Sequence, residues 1–251
     1  MLYQKPPILE AVIDFRFSKV DTISDNKSIL MFIKKHEGVF VKSEPLHEHS
    51  VVIKTEIGAE SDVHSDHAHV GYRLTDGSDT KVLQIKHKNF SSSQLKPYTT
   101  WSEFRSNTKS LWDSYVEITR VENVERIGLR YINRIDIPSN HFAMEEYFSL
   151  YPHMDDQLVK ESLSGFFMQV SVPQATKPSA TGKNARAIIN MGLTPPALDG
   201  HTSILLDIDV SAEVQLGSNS NDIWEILNHF RTVKNTLFES SITNQTRGLF
   251  K

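Results

Sequence analysis

Ile127–Pro138 reads IGLRYINRIDIP, and its alternation decides the fold class. Leu129, Tyr131, Asn133, Ile135 and Ile137 fall on one side of an extended chain, and Arg130, Ile132, Arg134 and Asp136 fall on the other. Strand side chains alternate between faces, so this period of two predicts a strand with one buried and one polar face. Pro138 has no N–H to give a ladder and closes the strand. Two arginines and an aspartate then stand together on the polar face. On the apolar face, Tyr131 buries its ring and needs a partner for its hydroxyl. Asn133 is the anomaly there: a buried amide must be hydrogen-bonded or it costs stability. It marks a bulge, a helix-end contact or a site reaching between strand and helix.

The same alternation opens the chain. After Pro6-Pro7, Ile8–Phe17 sets Ala11, Ile13, Phe15 and Phe17 against Glu10, Val12, Asp14 and Arg16. Ser24-Asp25 caps a helix running to about Lys35. Three strands follow, Ser50–Ile57, His69–Thr75 and Lys81–Phe90, with turns at Gly58 and Asp76-Gly77. Thr100-Trp101-Ser102-Glu103 is a capping box that opens a helix to about Thr119. From the central strand the order restarts. Helical segments Phe142–Leu150 and Asp156–Leu163 come next, then strands Gly165–Val172, Ala185–Leu193 and Ser203–Val210, then a helix from about Asn221 to Ile242.

Each half therefore reads strand, helix, three strands, long helix, which divides the chain into 1–120 and 121–251. Phe104-Arg105-Ser106 and Ser110-Leu111-Trp112-Asp113-Ser114 line up with Phe230-Arg231-Thr232 and Thr236-Leu237-Phe238-Glu239-Ser240 at one constant offset. Arg16 likewise matches Arg134. Two amphipathic helices share an apolar stripe in any case, but these ordered matches exceed a stripe and predict an internal duplication. The expected fold is α+β: two β-α-β-β-β-α units joined edge to edge at their first strands. They form one mainly antiparallel sheet of about eight strands with helices on one face and one pseudo-two-fold domain. This layout resembles TATA-binding-protein-like folds, a likeness of architecture only.

Composition narrows the chemistry. With 27 basic and 31 acidic residues the formal charge is -4, too balanced for the dense basic surface of a duplex-DNA binder. No cysteine is present, which excludes disulfides, thiolate zinc sites and a cysteine nucleophile. The expectation is a cytoplasmic protein with neither a secretory signal nor a membrane span.

Three blocks resemble a family of sporadically distributed, functionally uncharacterised bacterial proteins of about 250 residues. They are Pro6-Pro7-x-x-Glu10-Ala11, Tyr98-x-x-Trp101-x-Glu103-Phe104 and Arg126-x-Gly128-Leu129-Arg130-Tyr131-x-Asn133-Arg134-Ile135. The end, Lys234-x-x-x-Phe238-Glu239-x-x-Ile242-Thr243, also looks like that family. The resemblance brings no assigned activity and no catalytic residue. It implies an accessory gene, of mobile-element or phage-defence type.

Candidate sites follow from the polar face. Arg16, Arg130, Arg134, Asp136, Asp207 and Asp209 are the candidate binding residues. Paired Arg16 and Arg134 could clamp a phosphate or carboxylate; the alternative, favoured by the mixed charge, is a structural ion network. Asp207-x-Asp209 resembles a carboxylate pair for magnesium, against the plainer reading of polar residues on the wet side of a strand. His64, His67 and His69, in a segment rich in histidine and aspartate with His47, His49, Asp62 and Asp66, are candidate ligands for a divalent metal. The plainer reading there is solvated loop histidines. No other cofactor is expected. Trp101, Trp112 and Trp224 sit where core packing explains them better than base stacking. The functional expectation is a non-enzymatic binding or assembly protein. As a component of an accessory or phage-defence-type complex, it would present a polar sheet face or edge to a protein partner or another copy of itself first, and to a small anionic ligand or a nucleic acid second; the alternative is a metal-dependent enzyme acting on phosphate esters or nucleic acid.

Overall fold

The computed structural model describes residues 3–18, 26–54, 62–153, 165–173 and 185–251, with backbone alone at 49–54 and 62–67. The chain forms β1 (Ile8–Phe17), α1 (Lys27–Lys35), β2 (Phe40–Lys54), β3 (Asp62–Asp76), β4 (Lys81–Lys86) and β5 (Asn89–Leu95), then α2 (Trp101–Thr119). It continues with β6 (Asn123–Ile137), α3 (Met144–Tyr147), β7 (Phe167–Pro173), β8 (Arg186–Thr194) and β9 (Thr202–Gly217), and ends in α4 (Asp222–Ser241) and α5 (Asn244–Gly248). The strands make one antiparallel sheet in the order β2-β3-β4-β5-β1-β6-β9-β8-β7. The fold is α+β.

The central strand takes the place its pattern demanded. Leu129, Tyr131, Asn133, Ile135 and Ile137 are all buried on the helix side. β1 pairs with β6, Ala11 opposite Tyr131 and Val12 opposite Arg130. On β9, Ile204, Leu206, Ile208 and Val210 are buried on the same side. The helices lie over this face. Trp112 of α2 and Trp224 of α4 both meet Phe15 of β1, at ring distances of 4.7 and 5.9 Å. α1 packs on α2, Phe32 meeting Tyr115 edge-on at 5.6 Å.

Three expectations change. The stretch Lys81–Phe90 is not one strand: it turns at His87-Lys88, so nine strands form in place of about eight. Neither turn residue adopts positive φ, so no Gly or Asn marked the reversal. β2 begins at Phe40, well before Ser50, because Val41 is 62% exposed and the strand lies at the sheet edge, where burial does not enforce alternation. Phe142–Leu150 contains only the single turn of α3; Phe148 leaves the helix to bridge Ile242. The Ser24-Asp25 cap, the turn at Gly58 and the helix Asp156–Leu163 lie outside the described residues. At Thr100 the cap forms, its hydroxyl accepting from the Glu103 N–H at 3.2 Å.

Candidate functional site

The polar face is wired into two ladders. Arg130 gives two parallel hydrogen bonds to Asp207, Nε to Oδ1 and Nη2 to Oδ2, both 2.8 Å. Asn190 donates to the same carboxylate at 3.0 Å and accepts from Gln169 at 2.7 Å, so the chain of contacts crosses from β6 to β7. The second ladder runs from β5 to β9. Asn89 donates to Asp14 at 2.5 Å, Arg126 donates to Asp14 at 2.9 Å, and Arg126 reaches Asp209 at 3.6 Å. Gly128 leaves room for this crossing: a Cβ there would lie 3.1 Å from the Arg126 guanidinium, which would have to shift by a few tenths of an ångström. Burial pushes the Asp209 carboxyl up, and Arg126 and Arg130 hold it back down.

These contacts separate the candidate binding residues. Arg134 turns to Asp136 at 3.2 Å, and Asp136 accepts from Ser203 at 2.5 Å. Arg16 is exposed and stands opposite Arg126. Arg16 and Arg134 therefore lie at opposite ends of the β1–β6 seam, roughly eight strand positions or about 26 Å apart, and they do not form one clamp. Asp207 is claimed by Arg130 and Asn190, and Asp209 by Arg126, so a magnesium ion would have to compete with two guanidinium groups.

The histidines sit on β3, which starts at Asp62 where a loop was expected. Positions 64 and 67 belong to opposite faces of the strand, because their spacing is odd. The side chains of His49, His64 and His67 lie outside the described residues. Nδ1 of His69 is 3.3 Å from the Asn26 amide, and its ring packs on His47 and Tyr72 at 5.5 and 4.8 Å. Among the described residues no group of three or more His, Asp or Glu could hold a metal ion.

A cavity lies on the helix side, at the end of the seam. The extended Pro6-Pro7 segment brings Tyr3 to α4, where its hydroxyl donates to Glu239 at 2.8 Å. Lys5 N–H reaches the Phe250 carbonyl at 3.0 Å, and Arg134 N–H reaches the Pro7 carbonyl at 2.9 Å. The N-terminal segment is thereby tied to both the seam and the C-terminus. The start of α2 makes the opposite wall, and Trp101 donates to Asn228 of α4 at 3.0 Å. A cavity of about 440 Å³ remains between these parts.

Its floor is β6. Tyr131 shares a hydrogen bond with Tyr98 at 2.9 Å. Asn133 donates to the Leu206 carbonyl at 3.0 Å, which satisfies the buried amide and leaves the residue lining the cavity. From α4 comes Lys234, 9% exposed, with Nζ 3.8 Å from the Tyr131 ring centre. No hydrogen bond or ion pair to Lys234 occurs among the described residues. The nearby Glu239 carboxylate is engaged by Tyr3 and by Arg247 at 2.8 Å. Burial first, and the charge of Arg231 second, pull the lysine down to about 7, with Glu239 opposing them.

No protein-family model matches this chain, and no curated protein matches it in sequence. Among the described residues, no helix is long and apolar enough to cross a membrane.

Proposed function

We propose that this is a non-enzymatic binding protein, a component of an accessory or phage-defence-type complex, and that its ligand enters the pocket over Tyr131 and Asn133. The single observation that carries this reading is Lys234. Its amine is buried against the Tyr131 ring with no hydrogen-bond or carboxylate partner among the described residues; such a group is costly to retain, and such costs concentrate where a group meets a ligand. The arginines of β6, by contrast, are engaged by carboxylates of their own sheet. The family resemblance supports the same place. Its four blocks meet at this cavity, with Pro6 and Pro7 from the first, Tyr98 and Trp101 from the second, Tyr131 and Asn133 from the third, and Lys234 and Phe238 from the fourth.

The scaffold reading is an internal duplication of 1–120 and 121–251 with a TATA-binding-protein-like layout. In its favour, β1 and β6 sit side by side at the middle, and later strands of each half follow outward in reverse chain order. The matched arginines also do matched work: Arg105 of α2 lies over Trp224 of α4 at 5.7 Å, and Arg231 of α4 lies over Trp101 of α2 at 6.0 Å. Arg105→Ala and Arg231→Ala should each lower unfolding free energy by about 0.5–1 kcal/mol. Denaturant titration of both variants checks this; an effect from only one of them would break the equivalence.

The binding reading is tested with the small-molecule extract of a bacterial lysate. Wild-type and Lys234→Met proteins are equilibrated with it, and retained compounds are identified by mass spectrometry. A compound held by the wild type, lost by the variant and released unchanged is the expected result. The double substitution Arg130→Glu and Arg134→Glu should leave its retention intact. No retained compound, equal retention by the Lys234 variant, or release in a chemically altered form overturns the reading.

A further inference from the structure

Within this pocket we infer a ligand class: an acid, with a carboxylate or phosphate-type oxyanion meeting Lys234 and an apolar or flat body lying against Trp101 and Pro6–Ile8. The inference rests on the pocket reading and deepens it.

Charge and donor chemistry point the same way. Two cationic side chains, Lys234 and Arg231, line the cavity. The first turn of the nineteen-residue helix α2 lines it as well, through Trp101 and Ser102. The first N–H groups of a helix have no intrahelical acceptor, and its N-terminal end favours negative charge. Thr100 satisfies the N–H of Glu103, so its hydroxyl leaves those of Trp101 and Ser102 to other acceptors. Lys234 supplies the independent observation: a side chain nine-tenths buried, lining the cavity, with no acid of its own.

The charged and titratable groups that line the cavity around Lys234 come from four parts of the chain. Arg231 and Glu239 come from α4 itself, Tyr131 from β6, Tyr98 from the β5–α2 link and Tyr3 from the N-terminal segment. The one carboxylate in this set, Glu239, accepts from Tyr3 and Arg247, and Arg247 also spans to Asn244. Burial raises Tyr98 and Tyr131 above the ordinary phenol value, and burial with the Glu239 bond pushes Tyr3 up to about 12, so all three stay neutral donors near pH 7. Tyr3 gives its proton to Glu239, and one phenol of the Tyr98–Tyr131 pair gives its proton to the other. The donors left for a ligand are Lys234, Arg231, one phenol and the first α2 N–H groups, against one carboxylate that is already engaged. The cavity volume, about 440 Å³, falls within the range of pockets that enclose small ligands. Tyr3, Pro6, Pro7, Ile8 and Phe238 add an aromatic and apolar wall, and Thr99, Thr100 and Asn235 add neutral polar groups.

An acid seated here also settles the protonation of Lys234. The amine titrates near neutrality when the pocket holds no anion. A bound anion favours the ammonium form, so binding above neutral pH takes up a proton from solution.

The test is calorimetry at pH 8 with benzoate, phenyl phosphate and neutral benzamide, each in HEPES and in Tris. At least one acid should bind about tenfold or more tightly than benzamide. Its heat should differ between the buffers by close to one proton per ligand. Benzoate and phenyl phosphate together decide which oxyanion the site prefers. Lys234→Met should lose about tenfold or more in affinity for that acid and abolish the buffer difference. Lys234→Arg, which keeps the charge, should retain binding without proton uptake. Benzamide binding as tightly as both acids, acids binding equally to Lys234→Met, or no acid binding at about 10 mM overturns the inference. If a neutral compound from the lysate extract is retained in a Lys234-dependent way, the pocket reading stands and the acid does not.

Discussion

Lys234→Met should make the protein more stable, by about 3–5 kcal/mol at pH 6, with the gain shrinking as pH rises. In the unfolded chain this lysine keeps its proton up to its ordinary value of 10.5, whereas burial in the fold pulls it down to about 7. Between those limits the unfolded state binds more protons, so wild-type stability rises with pH through that window. Below it the cost is fully present, roughly 5 kcal/mol from the size of the shift. Part is offset by the attraction of the ammonium for the Tyr131 ring 3.8 Å away, worth about 1–2 kcal/mol when desolvated. Methionine keeps the unbranched stem and packs on the same ring. Urea unfolding at pH 6, 8 and 10 measures the effect. The advantage of the variant should fall by about 1.4 kcal/mol per pH unit above 7. A variant less stable than wild type at pH 6, or a difference that ignores pH, would show that the amine is paired.

Arg126→Met should cost about 2–3 kcal/mol at pH 7. The guanidinium holds Asp14 at 2.9 Å and Asp209 at 3.6 Å, and all three side chains are at most 27% exposed. Removing it leaves the carboxylates of Asp14 on β1 and Asp209 on β9 without the cation that joins them across β6, and Asp14 and Asp207 both repel Asp209. Asp209 is already raised, by burial above all, and losing Arg126 raises it further. A carboxyl raised in the fold takes up protons that the unfolded chain does not, so this part of the penalty grows with pH and eases on acidification. Unfolding at pH 4.5 and pH 7 should therefore show a smaller deficit at the lower pH. An equal deficit at both, or one below about 0.5 kcal/mol, would mean that solvent screens the cluster.

The two sites differ in how far the residues announced them. Alternation alone assigned Leu129, Tyr131 and Asn133 to the covered side and Arg130, Asp207 and Asp209 to the open one, because the strand period leaves no other arrangement once one face is buried. It could not say whether those charges serve a ligand or one another, since that depends on diagonal contacts between β6 and β9. Arg126 lies just outside the alternating stretch Ile127–Pro138, because β6 begins four residues earlier, at Asn123. The pocket is built from four segments far apart in sequence, and no local pattern joins them. One signal was present. Ile223, Leu227, Phe230 and Phe238 form the buried stripe of α4, and the helical period puts Lys234 in that stripe, where an apolar residue belongs. Asn133 is the corresponding anomaly of β6, and the two anomalies line the same cavity.

The way the N-terminal segment meets α4 bears on how the molecule is made. The cavity takes Tyr3 and Pro6 from the beginning of the chain, Tyr131 from its middle and Lys234 and Phe238 from near its end. Contacts between such distant parts close long loops and come at a cost in chain entropy that local hairpins do not bear. During synthesis the strands up to β9 can pair while α4 is still inside the ribosome, and until α4 emerges there is a floor with no far wall. The pocket is thus complete only once α4 has joined the sheet, and on the proposed reading a chain cut short before Lys234 would hold no ligand however much of its sheet had formed.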